Sequence, residues 1–314
     1  MARFILRRLG FLLLTFLLTS IVIFVVTQLL PGDVARIILG REAGEAAVQA
    51  LRQKLGLNEP ILVQYFHWLR NFVVGNWGDS YSTRQAIFPL VMSRTRNSLM
   101  LAGLTLVISV PLAVFLGVIA GLNENKWPDH AISLTSLSVV GLPEFVTGLV
   151  LIQVFSFTFR IFPANSSIRP AASFSEAFPM LILPALTATL VLLAYIARLT
   201  RAGVVEELKK LYVRTATLKG MPRNTIIFKH VLRNALLPTI TIIAISFGWL
   251  ISGLIVIENV FNYPGLGRLL VFAIDRRDLP LLQAVTMITV LGFALANLAA
   301  DLLYAYLNPR IRLE

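Results

Sequence analysis

The chain contains no cysteine, and only 14% of its 314 residues are Asp, Glu, Lys or Arg. The absence of cysteine excludes a disulfide framework and any metal site built on thiolates. Soluble domains usually carry about 25% charged residues. A composition with 57% hydrophobic residues and a mean hydropathy of +0.78 therefore indicates a membrane protein and not an ordinary soluble domain.

Acidic residues are also scarce, since 16 Asp and Glu accompany 28 Lys and Arg and leave a net charge of +12. Such a basic balance can indicate nucleic-acid binding. In a chain this apolar, membrane orientation accounts for the basic residues better, because Lys and Arg collect on the cytoplasmic side of membrane proteins. We therefore expect membrane lipid, and no nucleic acid, as a partner.

The common motifs of catalysis are missing. There is no G-x-x-x-x-G-K-[ST] phosphate loop, so the chain alone is not expected to hold a nucleotide in that manner. The three histidines, His67, His130 and His230, lie in different segments and form no H-E-x-x-H pair that could ligate zinc. No G-x-S-x-G motif occurs. These absences predict that the chain is not an enzyme, has no metal site and needs no cofactor of its own.

Six long apolar runs predict six transmembrane helices and an all-α fold. A helix of about 20 apolar residues, rising about 1.5 Å each, crosses the ~30 Å hydrocarbon core. The first run follows three arginines, but it is too long for a signal-peptide core of roughly 7–15 residues. The runs cover 9–30, 98–122, 131–159, 180–197, 235–257 and 280–307.

The distribution of Lys and Arg predicts that both termini are cytoplasmic. With that orientation the internal flanks hold 15 basic residues and the short external loops hold five. The loop 31–96 holds eight more, but long loops are translocated largely regardless of charge. We expect a single membrane domain over 1–314, made of a first span at 1–30, that external loop, and a five-span core at 97–314 with a cytoplasmic loop at 198–234.

One polar stretch, 198–238, interrupts the apolar sequence and holds nine of the 28 Lys and Arg residues. Gly220 and Pro222 stop the helix-forming sequence before them, since glycine ends a helix with φ > 0 and proline cannot continue it. We expect a short helix, a sharp turn and a second amphipathic helix. Such a shape suits contact with another protein, although a solvated basic loop that only sets topology is the simpler interpretation.

Two acidic residues fall within apolar runs, where charge is costly and therefore often functional. Glu144 lies beside Pro143, where a broken helix could expose it to a cavity; a buried structural pair is an equal alternative. Asp301 lies near the end of the last run, and a structural role is favoured there. A proton-coupled secondary transporter would use Glu144 or Asp301 as a relay, but no internal repeat typical of that class is apparent. A membrane-embedded enzyme would need paired catalytic residues, and none are apparent.

The turn-rich stretch 258–268 has no assignable role on its own.

Several motifs together resemble the ATP-binding-cassette importer permeases, above all the first permease subunit of the dipeptide, oligopeptide and nickel group. In that group the cytoplasmic loop has the pattern Y-V-R-T-A-x-x-K-G and then H-x-L-R-N-A-L-x-P. This sequence has YVRTATLKG at 212–220 and HVLRNALLP at 230–238. The other matching motifs, which cover nearly the whole chain in order, are RRLG at 7–10, LPGD at 30–33, LGLNEP at 55–60, FNYPGLGR at 261–268 and NPRIR at 308–312.

The resemblance implies a type I importer permease fold in the bacterial inner membrane. It implies three kinds of partner: a second, homologous permease, two ATPase subunits that hold ATP and Mg on the cytoplasmic face, and an extracytoplasmic solute-binding protein. The short helix before the loop's glycine is then expected to dock into an ATPase, and Glu144 and Pro143 are candidates for the translocation path. The expected coupling residues are Arg214, Thr215, Ala216, Lys219, Gly220, Met221 and Pro222.

The sequence also departs from the family's patterns. The general importer loop begins Glu-Ala-Ala, where this chain has Arg214, Thr215 and Ala216, the form of its own subgroup. Glu144 stands where the group more often has an apolar or aromatic residue, and the loop 160–178 is shorter than in some dipeptide permeases. The solute therefore stays open among dipeptides, oligopeptides, glutathione-like peptides, opines and nickel chelates.

Overall fold

The protein is helical throughout the part of the chain that the structure describes. Apart from one isolated bridge between Asp79 and Ala86, these residues contain no β-strand. The structure is a computed structural model, and it describes residues 2–29, 34–39, 43–54, 56–169 and 173–307.

Fifteen α-helices and two π-helical segments follow one another along the described residues. The α-helices are α1 Ala2–Leu29, α2 Val34–Leu39, α3 Glu45–Lys54, α4 Ile61–Val73, α5 Ile87–Leu122, α6 Trp127–Val140, α7 Glu144–Leu151, α8 Phe174–Leu208, α9 Leu211–Leu218, α10 Arg223–Thr225, α11 Leu232–Ala235, α12 Leu237–Gly253, α13 Ile255–Val260, α14 Leu266–Asp275 and α15 Leu279–Leu307. The π-helical segments are Ile152–Thr158, which continues α7, and Ile226–Val231, which joins α10 to α11.

Four helices, α1, α5, α8 and α15, are long and apolar enough to cross a membrane. Two bent pairs add up to two further spans: α6 meets α7 and its π-helical extension at 106°, and the helices before Leu237 meet α12 at 46°. The predicted run 235–257 is thereby divided among α11, α12 and α13. The described chain has four to six candidate spans, in agreement with the predicted all-α membrane fold.

The break between α6 and α7 falls inside the run 131–159, which the sequence analysis treats as one span. Gly141, Leu142 and Pro143 separate the two helices, and Pro143 has φ −58° and ψ 140°, outside the helical region. Proline lacks the amide hydrogen that a helix uses, and its ring disfavours helical geometry in the preceding residue. Glu144 is therefore the first residue of a new helix.

Helices α5 and α8 form the centre of the structure and pack closely through glycine. A Cβ atom on Gly117 would lie 2.6 Å from the carbonyl oxygen of Ala197, and one on Gly121 would lie 2.7 Å from Cβ of Val204. From Gly117 to Gly121 on α5, the facing residue on α8 changes from Ala197 to Val204. Residue numbers therefore increase in the same direction along both helices, so α5 and α8 run parallel. In a membrane, where lipid removes the usual hydrophobic driving force, small residues of this kind let backbones approach and gain van der Waals contact.

Helix α1 lies against α15 and is held at both ends. Near its start, Arg8 pairs with Asp301 at 2.9 Å. Near its end, Thr27 accepts a 2.7 Å hydrogen bond from the side-chain amide of Gln283. The pairing of Asp301 agrees with the structural role that the sequence analysis favours for it.

The segment between α1 and α5 packs on α1 through aromatic side chains. The aromatic side chains lie on α4, Ile61–Val73, whose Tyr65 ring has its centroid 5.5 Å from that of Phe24 on α1. Phe72 stacks on Trp77 with ring centroids 4.9 Å apart. Trp and Tyr favour the membrane–water interface. Helix α4 therefore packs along the second half of α1.

Candidate functional site

The polar stretch after α8 folds into a compact unit, residues 209–235, which we name the knob. Its first helix, α9, begins at Leu211 and ends at Leu218. The amide of Met221 donates to the carbonyl of Ala216 at 3.2 Å, and the amide of Gly220 donates to Thr217 at 3.0 Å. These bonds satisfy carbonyl groups at the helix end, as in a Schellman cap.

Gly220 has φ 75°, the left-handed conformation that the sequence analysis predicts for this helix stop. Glycine adopts this conformation without the steric cost that a Cβ atom brings. No atom lies within 4 Å of the position that a Cβ would take. Glycine is therefore required here by backbone conformation, and no neighbouring group in the described chain presses on it.

The bounds of the knob helix differ from the expected segment 214–222. The helix starts three residues earlier, Lys219 caps its C-terminus, and Pro222 is the N-cap of the following helix α10. Proline suits the start of a helix because an amide hydrogen is not needed there. Pro222 thus initiates the second helix and also prevents the first from continuing.

Two of the expected contact residues face inward. Ala216 and Met221 are partly buried and pack against a small core that includes Val204 of α8 and Val231 of the π-helical segment. Their apolar atoms stabilise the knob itself. Both residues nevertheless keep partial exposure, and their contact with an ATPase stays a prediction.

The exposed face of α9 carries two leucines that the sequence analysis did not select. Leu211 is 79% exposed and Leu218 is 81% exposed. Positions 211, 214, 215 and 218 share one helix face, because neighbours on a face recur three, four and seven residues apart. Arg214 and Thr215 are exposed between the two leucines. An exposed apolar pair beside a cation is a common composition for a contact between proteins.

The knob is fixed to the membrane core at the end of α8. A Cβ atom on Gly203 would lie 2.4 Å from the carbonyl oxygen of Ala235, so α8 and α11 touch backbone to backbone. The carboxylate of Glu207 accepts hydrogen bonds from Lys210 and, at 2.5 Å, from the Tyr212 hydroxyl. Burial raises the pKa of Tyr212, and the hydrogen bond to Glu207 raises it further. The start of α9 is therefore hydrogen-bonded to the end of α8.

A second contact holds α6 to α8 close to the knob. Asp129, which is only 1% exposed, accepts two hydrogen bonds from Arg201, one of them 2.6 Å long. The amide of Asn125 donates to the same carboxylate at 2.9 Å. Lys209 pairs with Glu124 at 2.8 Å. The turn between α5 and α6 is thus bound to α8 by two ion pairs.

Glu144 lies at the bend between α6 and α7, directly after Pro143. One of its carboxylate oxygens, Oε2, is buried and has no hydrogen-bond partner among the described residues. Its neighbours Leu142 and Phe145 are about half exposed, 49% and 48%. A buried carboxylate oxygen without a partner is energetically costly, and the described residues around Glu144 leave this oxygen unsatisfied.

A third acidic residue, Glu258 on α13, is only 1% exposed. It accepts a hydrogen bond from Ser98 at 2.6 Å and one from the amide of Arg268 at 3.0 Å. A Cβ atom on Gly265 would lie 2.1 Å from the carboxylate. The sequence analysis assigned no role to 258–268; an acid directly after an apolar run and before a glycine-rich turn was the available signal.

Among the residues that the structure describes, no group of three or more His, Asp or Glu side chains is placed to hold a metal ion. The carboxylates Glu144, Glu207 and Glu258 lie on separate helices and each has its own surroundings. In the described residues, the knob therefore combines an exposed helix face with direct contacts to α8.

Comparison with known proteins agrees with this geometry. The family model described as "Binding-protein-dependent transport system inner membrane component" matches residues 113–313, and the corresponding N-terminal model matches residues 1–102. The glutathione transport system permease proteins GsiC of Escherichia coli and Shigella dysenteriae are each 38% identical over 312 residues, with 99% of both chains covered.

A solved structure of an amino acid ABC transporter with histidines shares the fold. Its TM-score is 0.55 at 17% identity, and the match covers 69% of this chain and 94% of that chain. The full-length similarity to permeases confirms the resemblance drawn from the sequence motifs. The chain belongs to the family of inner membrane components of binding-protein-dependent transport systems, and it is the permease component of an ATP-binding-cassette importer.

Proposed function

We propose that the chain moves a peptide or a related small solute across the inner membrane, and that α9 is the element on which an ATPase subunit docks. The observation that carries the docking assignment is the exposed face of α9, where Leu211 and Leu218 flank Arg214 and Thr215 on a helix fixed rigidly to α8. Lys219 and Pro222, which follow the C-terminus of α9, are also exposed. Arg214 and Lys219 can meet acidic groups at the rim, where a single ion pair is worth about 0–1 kcal/mol.

The proposed topology has six spans, with both termini and the knob in the cytoplasm. The two bent pairs each count as one span in this arrangement, and the whole chain, 1–314, forms one permease domain of the type I importer fold. The distribution of basic residues supports this orientation, since the knob stretch 198–234 alone carries nine Lys and Arg. In this topology the segment 31–96 lies outside.

The proposed complex contains a second, homologous permease, two ATPase subunits and an extracytoplasmic solute-binding protein. ATP and Mg are held by the ATPase subunits, and this chain needs no cofactor of its own. Closure of the ATPase dimer moves α9, and the rigid contacts at Gly203, Glu207 and Asp129 carry that movement to α8 and α6. Such a two-state rocking of rigid elements opens the path alternately to each side.

The solute is proposed to be peptide-like, because the full-length relatives named above transport glutathione. Glu144 and Pro143 are the candidates for the solute path. The partnerless carboxylate oxygen of Glu144 supports this assignment, since an ammonium group of a peptide would supply the missing charge. Nickel chelates and opines remain alternatives for the same fold.

The experiment is reconstitution of the complete complex in vesicles, with uptake measured for glutathione, a dipeptide and a nickel chelate. We expect uptake to require ATP and the binding protein and to be insensitive to collapse of the proton gradient. ATPase activity from this chain alone, or uptake driven by a proton gradient without ATP, would overturn the proposal.

A further inference from the structure

A slot of about 250 Å³ opens between α6 and α8 beside the Asp129–Arg201 contact, and the transport role makes no use of it. Its floor is made of small residues, Ala120, Ala194 and Ala197, each no more than 3% exposed. These small side chains leave room that a larger residue would fill.

The slot is apolar at its inner end and polar at its outer end. Along α6 its wall runs from Ser133 to Val140, a length of about 10 Å at 1.5 Å per residue. Leu137 and Val140 line the inner part, and Arg198 and Arg201 line the outer part. Apolar walls of this kind do not hold ordered water well, because a buried water needs two to four polar partners.

The two arginines at the mouth differ in their partners. Arg201 is neutralised by its paired hydrogen bonds to Asp129. Arg198 is exposed and makes no hydrogen bond or ion pair with any residue that the structure describes. The mouth of the slot therefore carries one uncompensated positive charge.

Under the proposed topology, the mouth lies near a membrane–water interface. Trp127 begins α6 and is 80% exposed, and tryptophan is enriched at such interfaces. Asp129, one helical turn before Ser133, pairs with Arg201, so the polar ends of α6 and α8 lie at the same height. Under the proposed topology this height is the cytoplasmic leaflet, whose anionic lipids attract basic groups.

We propose that the slot binds an anionic phospholipid of the cytoplasmic leaflet, with one acyl chain along Leu137 and Val140 and the phosphate on Arg198. Arg198 supplies the charge complementarity, and the apolar inner end supplies the environment of an acyl chain. Basic pockets between membrane helices on this side are known sites for anionic headgroups. The lipid would wedge between α6 and α8, the helix that carries the knob. The proposal rests on the topology given under the proposed function.

The test uses the whole importer complex in nanodiscs made of equal parts phosphatidylglycerol and phosphatidylcholine, with tightly bound lipid identified by native mass spectrometry. Wild type is expected to retain phosphatidylglycerol preferentially. Arg198→Gln should reduce that preference about fivefold, the value of one basic group near an anionic surface. Val140→Phe should reduce retention of either lipid by filling the slot.

Lys126→Gln is the matched control, since it removes an exposed charge from the same side without lining the slot. It should retain phosphatidylglycerol as wild type does. Equal lipid retention by wild type and Arg198→Gln would overturn the proposal, as would a crosslink from Val140→Cys to a helix of the second permease. Assembly of each variant, followed by size-exclusion chromatography, separates lost lipid from lost folding.

The chain's lack of cysteine allows the underlying topology to be tested separately. Lys126→Cys provides a single thiol that a membrane-impermeant maleimide should label only from the cytoplasmic side. Labelling from the outside would refute the topology. Correct labelling combined with no lipid preference would refute the lipid site alone.

Discussion

The hydroxyl of Ser98 on α5 donates a 2.6 Å hydrogen bond to the buried carboxylate of Glu258 on α13. The same hydroxyl accepts a 2.8 Å bond from the amide of Leu266. Tyr263 adds a bond from its hydroxyl to the carbonyl of Asn97 at 2.7 Å. These contacts fasten α13 and the turn after it to the central helix α5.

Ser98→Ala should destabilise this junction. A hydrogen bond to a carboxyl group contributes about 0.5–3 kcal/mol, and the amide of Leu266 also loses its partner. We expect a lower midpoint of thermal unfolding for the purified complex. Ser93→Ala on the same helix is the control, since that hydroxyl is exposed and bonds only to a carbonyl of its own helix. Equal midpoints for the two variants would show that the bond to Glu258 contributes no stability.

The sequence predicted features that depend on local chemistry. Gly220 was predicted to end the helix in a left-handed conformation, because glycine adopts positive φ readily and the proline two residues later cannot continue the helix. The membrane fold followed from the length of the apolar runs. Glu258 could not be assigned, because Ser98 lies 160 residues away along the chain and nothing local connects the two.

The orientation of α9 was also beyond the sequence. Val213 and Ala216 turn inward because they meet a core formed by α8 and the π-helical segment, and a short helix with apolar residues on several sides does not reveal which side is covered. The same limit applies to Leu218, whose exposure depends on tertiary packing. The break before Glu144 was foreseen only as a possibility, since proline is tolerated inside membrane helices.

Glu144→Gln should change transport while leaving assembly intact. The variant keeps the shape of the side chain but removes the charge that we propose meets the solute, so the effect should appear as a raised KM for a peptide with a free amino group. Uptake in vesicles is the measurement. Glu206→Gln serves as the control, because Glu206 is exposed on α8 beside the knob. Unchanged KM for Glu144→Gln would remove this residue from the solute path.

Gly220→Val should uncouple ATP hydrolysis from uptake. A left-handed residue with a Cβ atom costs roughly 1 kcal/mol, and a β-branched side chain costs more. Because open space surrounds the position, the cost comes from the backbone, so Gly220→Asn should be tolerated far better, as asparagine visits this conformation. Hydrolysis and uptake measured in the same vesicles test this. Normal coupling in Gly220→Val would contradict the proposed requirement for this turn.

Leu218→Glu should weaken binding of the ATPase subunits more than any change at Arg214. Leu218 is 81% exposed, and burying such a leucine side chain in a partner is worth about 1.5–3 kcal/mol. A glutamate there would instead carry a charge into the contact. Arg214→Ala removes one rim ion pair, worth about 0–1 kcal/mol.

Phe228→Glu is the matched control, since Phe228 is 71% exposed on the same knob but lies outside α9. Affinity for purified ATPase subunits should fall at least tenfold for Leu218→Glu and by less than about threefold for Arg214→Ala and Phe228→Glu. If Phe228→Glu abolishes binding and Leu218→Glu does not, the ATPase docks on the second half of the knob. In that case the π-helical segment, and not α9, carries the contact.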